Sequence, residues 1–136
     1  MKNLLAGIMT KFTASTVSGN VGGRIYFDQA PDGATYPYIV FSIIVGVPMD
    51  TFTEKITDTT IQFDMFSDSS SVTEISTIYA NLRALFDDAT LTVSSNTFLR
   101  CTWQSMMATA ESVTTLGGIV GVKYWSADYL MTTEVT

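Results

Sequence analysis

The sequence has no histidine, one cysteine, three prolines and few charges of either sign. Without histidine there is no Ser-His-Asp or Cys-His arrangement, no usual zinc site, and the commonest general base near neutral pH is missing. One cysteine, Cys101, cannot close an internal disulfide, so nothing suggests a secreted disulfide scaffold. It stands in an apolar, strand-like stretch, where a buried and inert thiol is expected. Charged residues make up 15% of the chain, against about 25% in ordinary domains. No two of the seven basic residues adjoin and the formal net charge is −6. A basic stripe for neutralising phosphates is therefore missing, and sequence-reading nucleic-acid binding is not expected. An acidic wall past which DNA slides without sticking remains compatible with this charge. No uncharged apolar run approaches a membrane span, so no membrane partner is expected. The apolar start, Leu4-Leu5-Ala6-Gly7-Ile8-Met9, faintly resembles a signal peptide, but Thr10 and Lys11 interrupt it and no small-residue cleavage site follows. A first helix explains it better, and synthesis in the cytoplasm is expected.

What is present is a folding composition. Apolar residues are 46% of 136, enough for one domain over residues 1–136 with one core. So little charge, with abundant Ser and Thr, implies a surface partly covered by copies of itself or by partners.

Along the chain, Leu4, Leu5, Ile8, Met9 and Phe12 recur at helical spacing and predict a helix over residues 3–14. Ser18-Gly19-Asn20-Val21-Gly22-Gly23 breaks it. Arg24-Ile25-Tyr26-Phe27 reads as a short strand, and Ala30-Pro31-Asp32-Gly33 as a turn with positive φ at Gly33. Residues 37–47 are nearly all apolar and β-branched or aromatic, predicting a central strand buried on both faces and ended by Pro48. Residues 59–66 alternate, with Ile61, Phe63 and Met65 on one face and Gln62 and Asp64 on the other. Ser71 and Glu74 suggest a capping box for a helix carrying Val72, Ile75, Ile78, Tyr79, Leu82, Leu85 and Phe86. Leu91-Thr92-Val93, a turn at Ser94-Ser95-Asn96, and residues 98–107 suggest a hairpin. Residues 108–118 read as a polar link before a last strand over residues 119–133. The expected fold class is α+β, a two-layer, mainly antiparallel sheet of about five to six strands on two helices, in the order α-β-β-β-α-β-β-β.

No catalytic, cofactor-binding or metal site is expected. Asp64, with Asp128 as a possible partner, is the best carboxylate pair, but solvated strand-face acids explain both more simply. Asp87-Asp88 reads as a solvated helix exit without metal-ligand spacing. Gly19-Asn20-Val21-Gly22-Gly23 lacks the lysine and hydroxyl of a phosphate loop. Trp103, Trp125, Tyr124 and Tyr129 suit core packing or a protein interface better than base stacking, since no arginines interleave them.

Gly22-Gly23-Arg24-Ile25-Tyr26, then Ala30-Pro31-Asp32-Gly33-Ala34-Thr35-Tyr36-Pro37-Tyr38-Ile39-Val40-Phe41, resemble the small tail-completion proteins of long-tailed bacteriophages. Ile61-Gln62-Phe63-Asp64-Met65-Phe66 resembles that family's later alternating strand, and the helix over residues 73–86 falls where its helix does. The resemblance covers residues 1–86; the C-terminal third agrees only in strand pattern. Residues 43–49 depart from the family by being more apolar. The resemblance implies a tail terminator: a structural virion protein that caps the tail tube, stops its polymerisation and offers the head-to-tail joining surface as a hexameric ring. It implies as partners other copies of the chain, the major tail-tube protein and the head-completion or neck proteins, at the tail-neck junction of the virion, with DNA passing through unread. A strand edge with exposed aromatics would then make the ring contact. Two polar segments would reach the tube or neck: Met49, Asp50, Thr51, Phe52, Thr53, Glu54 and Lys55, and Glu111, Ser112, Val113, Thr114, Thr115 and Leu116. The alternatives are another neck component, a head-completion or stopper protein, and a small ligand-binding α+β domain with a deep Tyr- and Trp-lined pocket.

Overall fold

A computed structural model of the chain describes residues 2–13, 15–50, 54–93, 96–115 and 118–135, with side chains left aside at 111–120 and 135. The elements are α1 (Lys2–Phe12), α2 (Thr16–Asn20), β1 (Ile25–Phe27), β2 (Tyr38–Pro48), β3 (Ile56–Ser67), α3 (Thr73–Phe86), β4 (Asn96–Thr115) and β5 (Gly118–Val135). The five strands form one sheet in the order β1-β2-β3-β5-β4. Only β1 and β2 run parallel; the other pairs are antiparallel. The α+β, mainly antiparallel expectation holds.

The helices pack on one face of this sheet because each has a single apolar stripe. Leu4, Ile8 and Phe12 of α1 and Ile75, Ile78, Leu82 and Phe86 of α3 are buried with Ile39, Phe41, Ile61, Phe63, Met65, Ala127, Tyr129 and Met131 of the strands. At the centre the Phe12 ring lies 5.1 Å from Phe86 and 5.8 Å from Phe63, both edge-on, the tilted geometry that aromatic quadrupoles favour. Gly7 lets α1 approach the 91–93 segment closely: a Cβ there would stand 2.8 Å from the Thr92 carbonyl oxygen.

Five expectations are corrected. The break over residues 18–23 contains the short helix α2, capped by the Ser15 hydroxyl accepting from the Ser18 N–H. The capping box does not form: the Glu74 carboxylate accepts from the Ser67 hydroxyl at 2.7 Å, a buried group that needs a partner. Ser71 Oγ instead accepts from the Thr73 N–H. Residues 91–93 belong to no strand; Leu91 and Val93 are buried in the core instead, and Ser94 and Ser95 lie outside the described residues. The sheet therefore has five strands and the order is α-α-β-β-β-α-β-β. Strand β2 is not buried on both faces throughout, because β1 pairs only with residues 39–41 and leaves Ile44, Val45 and Val47 exposed. Lastly, residues 108–115 are not a link but the end of β4.

Candidate assembly surfaces

The final hairpin is longer than the sheet it closes. Strands β4 and β5 pair from Asn96 opposite Val135 up to Thr115 opposite Gly118, whereas β3 ends with Ser67 opposite Lys123. Residues 111–115 and 118–122 therefore project as a two-stranded arm, about 17 Å long at about 3.4 Å per residue. Ser and Thr made this stretch look like a link, yet Val113 opposite Val120 and Thr114 opposite Ile119 are β-branched pairs that suit a ribbon. An isolated two-stranded ribbon is marginal in water, so the arm gains from a partner. Glu111, Ser112, Val113, Thr114 and Thr115 lie on this arm, and Leu116 lies outside the described residues.

The other expected segment lies at the opposite end of the sheet. Met49 and Asp50 follow β2, Glu54 and Lys55 precede β3, and all four are exposed; Thr51, Phe52 and Thr53 lie outside the described residues. The Met49 N–H donates to the Ile56 carbonyl at 2.7 Å, holding the two strand ends together. Beside it lies a groove of about 370 Å³ lined by Met49, Ile56, Asp58, Leu99, Arg100 and Thr132. Arg100 Nε donates to Thr132 Oγ1, which donates to Asp58 Oδ1, so the groove's polar groups satisfy one another.

The sheet face opposite the helices carries an aromatic row. Tyr38 stacks on Phe66 at 4.8 Å and Phe66 on Tyr124 at 5.0 Å, with Tyr26 and Tyr36 against Tyr38. Burial, with Tyr36 beside it, pushes the Tyr38 hydroxyl up to about 12. Next to this row stands Asp64, opposite Ser126, with Asp128 opposite Gln62 as its diagonal neighbour. Burial raises the Asp64 carboxyl to about 6; the Tyr124 hydroxyl, donating to it at 3.2 Å, works against that rise, and Asp128 adds to it. The two acids thus share a neighbourhood on the sheet face opposite the helices.

Asp87 is not merely a solvated exit. Its carboxylate takes the Arg83 guanidinium at 2.7 Å and the hydroxyl of fully buried Tyr129. Opposite charge four residues earlier and a core donor outweigh the adverse helix end. Burial, then Asp87 itself, raises the Tyr129 hydroxyl above its usual range. Arg83 also covers the Trp103 ring at 4.2 Å, a cation–π contact. Among the described residues no group of three or more acids and cysteines could hold a metal. Cys101 is buried, which pushes its thiol up to about 12, with Asp87 and Asp88 adding to the rise. The four aromatics considered for base stacking do not share a platform: Tyr129 is in the core, Trp125 packs on Tyr79, Trp103 lies under Arg83, and Tyr124 is on the other face.

Sequence reasoning expected a strand edge at a contact without locating which strands stand at the edges. One is β2 beyond Phe41, where β1 stops. The other is β4, whose Cys101 carbonyl accepts from the Asp88 N–H but which pairs with no further strand among the described residues. Ile44, Val45 and Val47 on the first and Leu99, Trp103 and Met107 on the second are exposed large apolar side chains. The signal was the uncharged apolar run itself, which reads as core until a neighbour is found to be short.

Comparison with known proteins agrees with this architecture. The sequence profile of the family described as tail completion protein gp17 matches residues 9–125. A chain of the solved structure described as "Virion of native gene transfer agent (GTA) particle" has the same fold, at a TM-score of 0.71 and 16% identity over 95% of this chain and 92% of that one. A second solved chain aligns over 96% of this chain and 94% of its own with a TM-score of 0.47 and 13% identity. No curated protein matches.

Proposed function

Since the chain belongs to the tail completion protein gp17 family and is thereby a structural protein of phage-type tails, we propose that it caps the tail tube as a hexameric ring, stops its polymerisation and offers the surface to which the head joins. The observation that carries this reading is the two-ended sheet. Exposed Met49, Asp50, Glu54 and Lys55 lie at one end and the arm of residues 111–115 and 118–122 at the other. A joining ring needs two unlike faces, one for the tube and one for the neck, and this placement supplies them. The arm, marginal alone, would be ordered by the partner that receives it. Thr51, Phe52, Thr53 and Leu116 belong to the same two proposed contacts.

The partners are copies of the chain, the tail-tube protein and a head-completion or neck protein. The product sits at the tail-neck junction of the virion after synthesis in the host cytoplasm. No catalytic step is assigned. DNA passes through the ring, and the net charge of −6 supports an inner wall on which acids outnumber bases, so that phosphates are not held. The likeness to a chain of a gene transfer agent virion is consistent with a place inside a particle.

Deleting the gene in the particle-producing host tests the role. Overlong or unattached tails are expected by electron microscopy. Normal tails beside leaking heads would refute the terminator role and favour a head-completion or stopper protein.

A further inference from the structure

We infer that Asp64 and Asp128, together with the Ser126 hydroxyl, hold a hard divalent cation, magnesium or calcium, on the sheet face opposite the helices. The site ties β3 to β5 and stands independently of the tail-capping reading.

Strand register assembles the site. Asp64 lies opposite Ser126, and Gln62 opposite Asp128. Ala127 and Tyr129 of β5 and Phe63 and Met65 of β3 point into the core, so alternation sends Ser126 and Asp128, Gln62 and Asp64 to the other face. Spacing along the chain could not show this, because the two acids meet only through strand pairing. Each acid uses one oxygen locally: Asp64 Oδ1 accepts from the Tyr124 hydroxyl and Asp128 Oδ2 from the Ser105 hydroxyl, both at 3.2 Å. The other Asp128 oxygen, Oδ1, is buried without a hydrogen-bond partner, and so is the Oγ of Ser126, a residue only 2% exposed. Buried polar atoms are nearly always satisfied, so two orphaned oxygens on one face of one strand point to a ligand that both can bind.

Charge and donor chemistry select the ligand. Among the described residues neither acid forms an ion pair. Asp128 pushes the Asp64 carboxyl up further than burial alone does, and no basic group works against that rise. Two half-buried carboxylates without a counter-charge repel each other and lose hydration; a cation between them offsets both costs. The available donors are all oxygens: two carboxylates, the Ser126 hydroxyl and the Gln62 amide. The chain has no histidine, and Cys101 is in the core on the helix side. Such a set suits magnesium and calcium rather than zinc or copper. No third acid joins the pair among the described residues, so the ion keeps several of its waters, as magnesium does when held by one or two carboxylates. The affinity is modest, with Kd on the order of 10⁻⁴ to 10⁻³ M.

Terbium, a hard oxygen-seeking ion that emits when an adjacent aromatic ring is excited, serves as the probe, with Tyr124 beside Asp64 as the ring. Titrated into the chelator-treated full chain, it should give sensitised emission that saturates at one ion per chain and is displaced by millimolar calcium or magnesium. Asp64→Asn and Asp128→Asn should each abolish that emission. Asp68→Asn, which changes an exposed acid beyond the end of β3, should leave it intact. Circular dichroism checks that all three variants fold. A second measurement needs no variant: millimolar magnesium or calcium should raise the urea midpoint of the wild-type chain, since an ion bound only by the folded state stabilises it. Absence of terbium uptake, emission that neither calcium nor magnesium displaces, or a urea midpoint unmoved by both ions would overturn the inference. Emission that survives both Asn variants, or that Asp68→Asn abolishes equally, would overturn it too, as binding to scattered surface acids.

Discussion

Replacing Asp64 by asparagine should change stability in a pH-dependent way whose sign follows from the sheet. Asp64 sits half-buried among Val40, Gln62, Tyr124 and Ser126, and its carboxyl is raised from 3.8 to about 6, chiefly by burial. A carboxyl whose pKa is higher folded than unfolded favours the folded state when protonated. Below about pH 4 it is neutral in both states and costs nothing; the cost grows as pH rises from about 4 to 6 and is complete above that. The gap of about two pKa units corresponds to a ceiling of about 3 kcal/mol at about 1.4 kcal/mol per unit. Partial exposure screens the charge and leaves about 1–2 kcal/mol. Asparagine keeps an acceptor for the Tyr124 hydroxyl, which donates at 3.2 Å in the wild type, but carries no charge. Urea denaturation should therefore find Asp64→Asn more stable than wild type by about 1–2 kcal/mol near pH 8 and equal to it near pH 4. Equal effects at both pH values, or a loss of stability near pH 8, would refute the argument from burial.

Tyr129→Phe removes the hydroxyl that bonds Asp87 and should cost about 1.5–3 kcal/mol in urea denaturation; a neutral result would mean that Arg83 alone satisfies the carboxylate. Gly7→Ala should destabilise by about 1–3 kcal/mol, because its Cβ would meet the Thr92 carbonyl oxygen at 2.8 Å. Gly19→Ala, in a helix with open space around the new Cβ, should instead be neutral or slightly stabilising. Cys101 should resist thiol reagents in the native protein near pH 8 and react fully in denaturant, since burial holds its thiol up at about 12; rapid native labelling would contradict that.

The parts of the fold that were legible in the sequence are those governed by periodicity. The alternation of Ile61, Phe63 and Met65 and the helical spacing of Ile75, Ile78, Leu82 and Phe86 set which faces meet, and all seven are buried. The buried state of Cys101 followed from its apolar neighbours in the same way. What failed were judgements that depend on which strands lie beside which. Residues 37–47 are apolar enough for a central strand, but the three-residue β1 leaves their second half at the edge. Residues 108–115 are polar enough for a loop, but their cross-strand partners in β5 make them the end of β4. Ser71 and Glu74 have capping-box spacing, yet the buried Ser67 hydroxyl competes for the carboxylate from seven residues away. The candidate partner segments at residues 49–55 and 111–116 came from polarity and family resemblance; that Met49, Asp50, Glu54 and Lys55 lie at one end and residues 111–115 at the other required the strand register. The two uncharged edges were present in the sequence as apolar runs, indistinguishable there from core.

The most direct measurement adds the purified protein to polymerising tail-tube subunits and images the products by electron microscopy. The account predicts annular caps of six copies at one end of each tube and no further growth at that end. Tubes that lengthen unchecked, with the added protein absent from their ends, would contradict it.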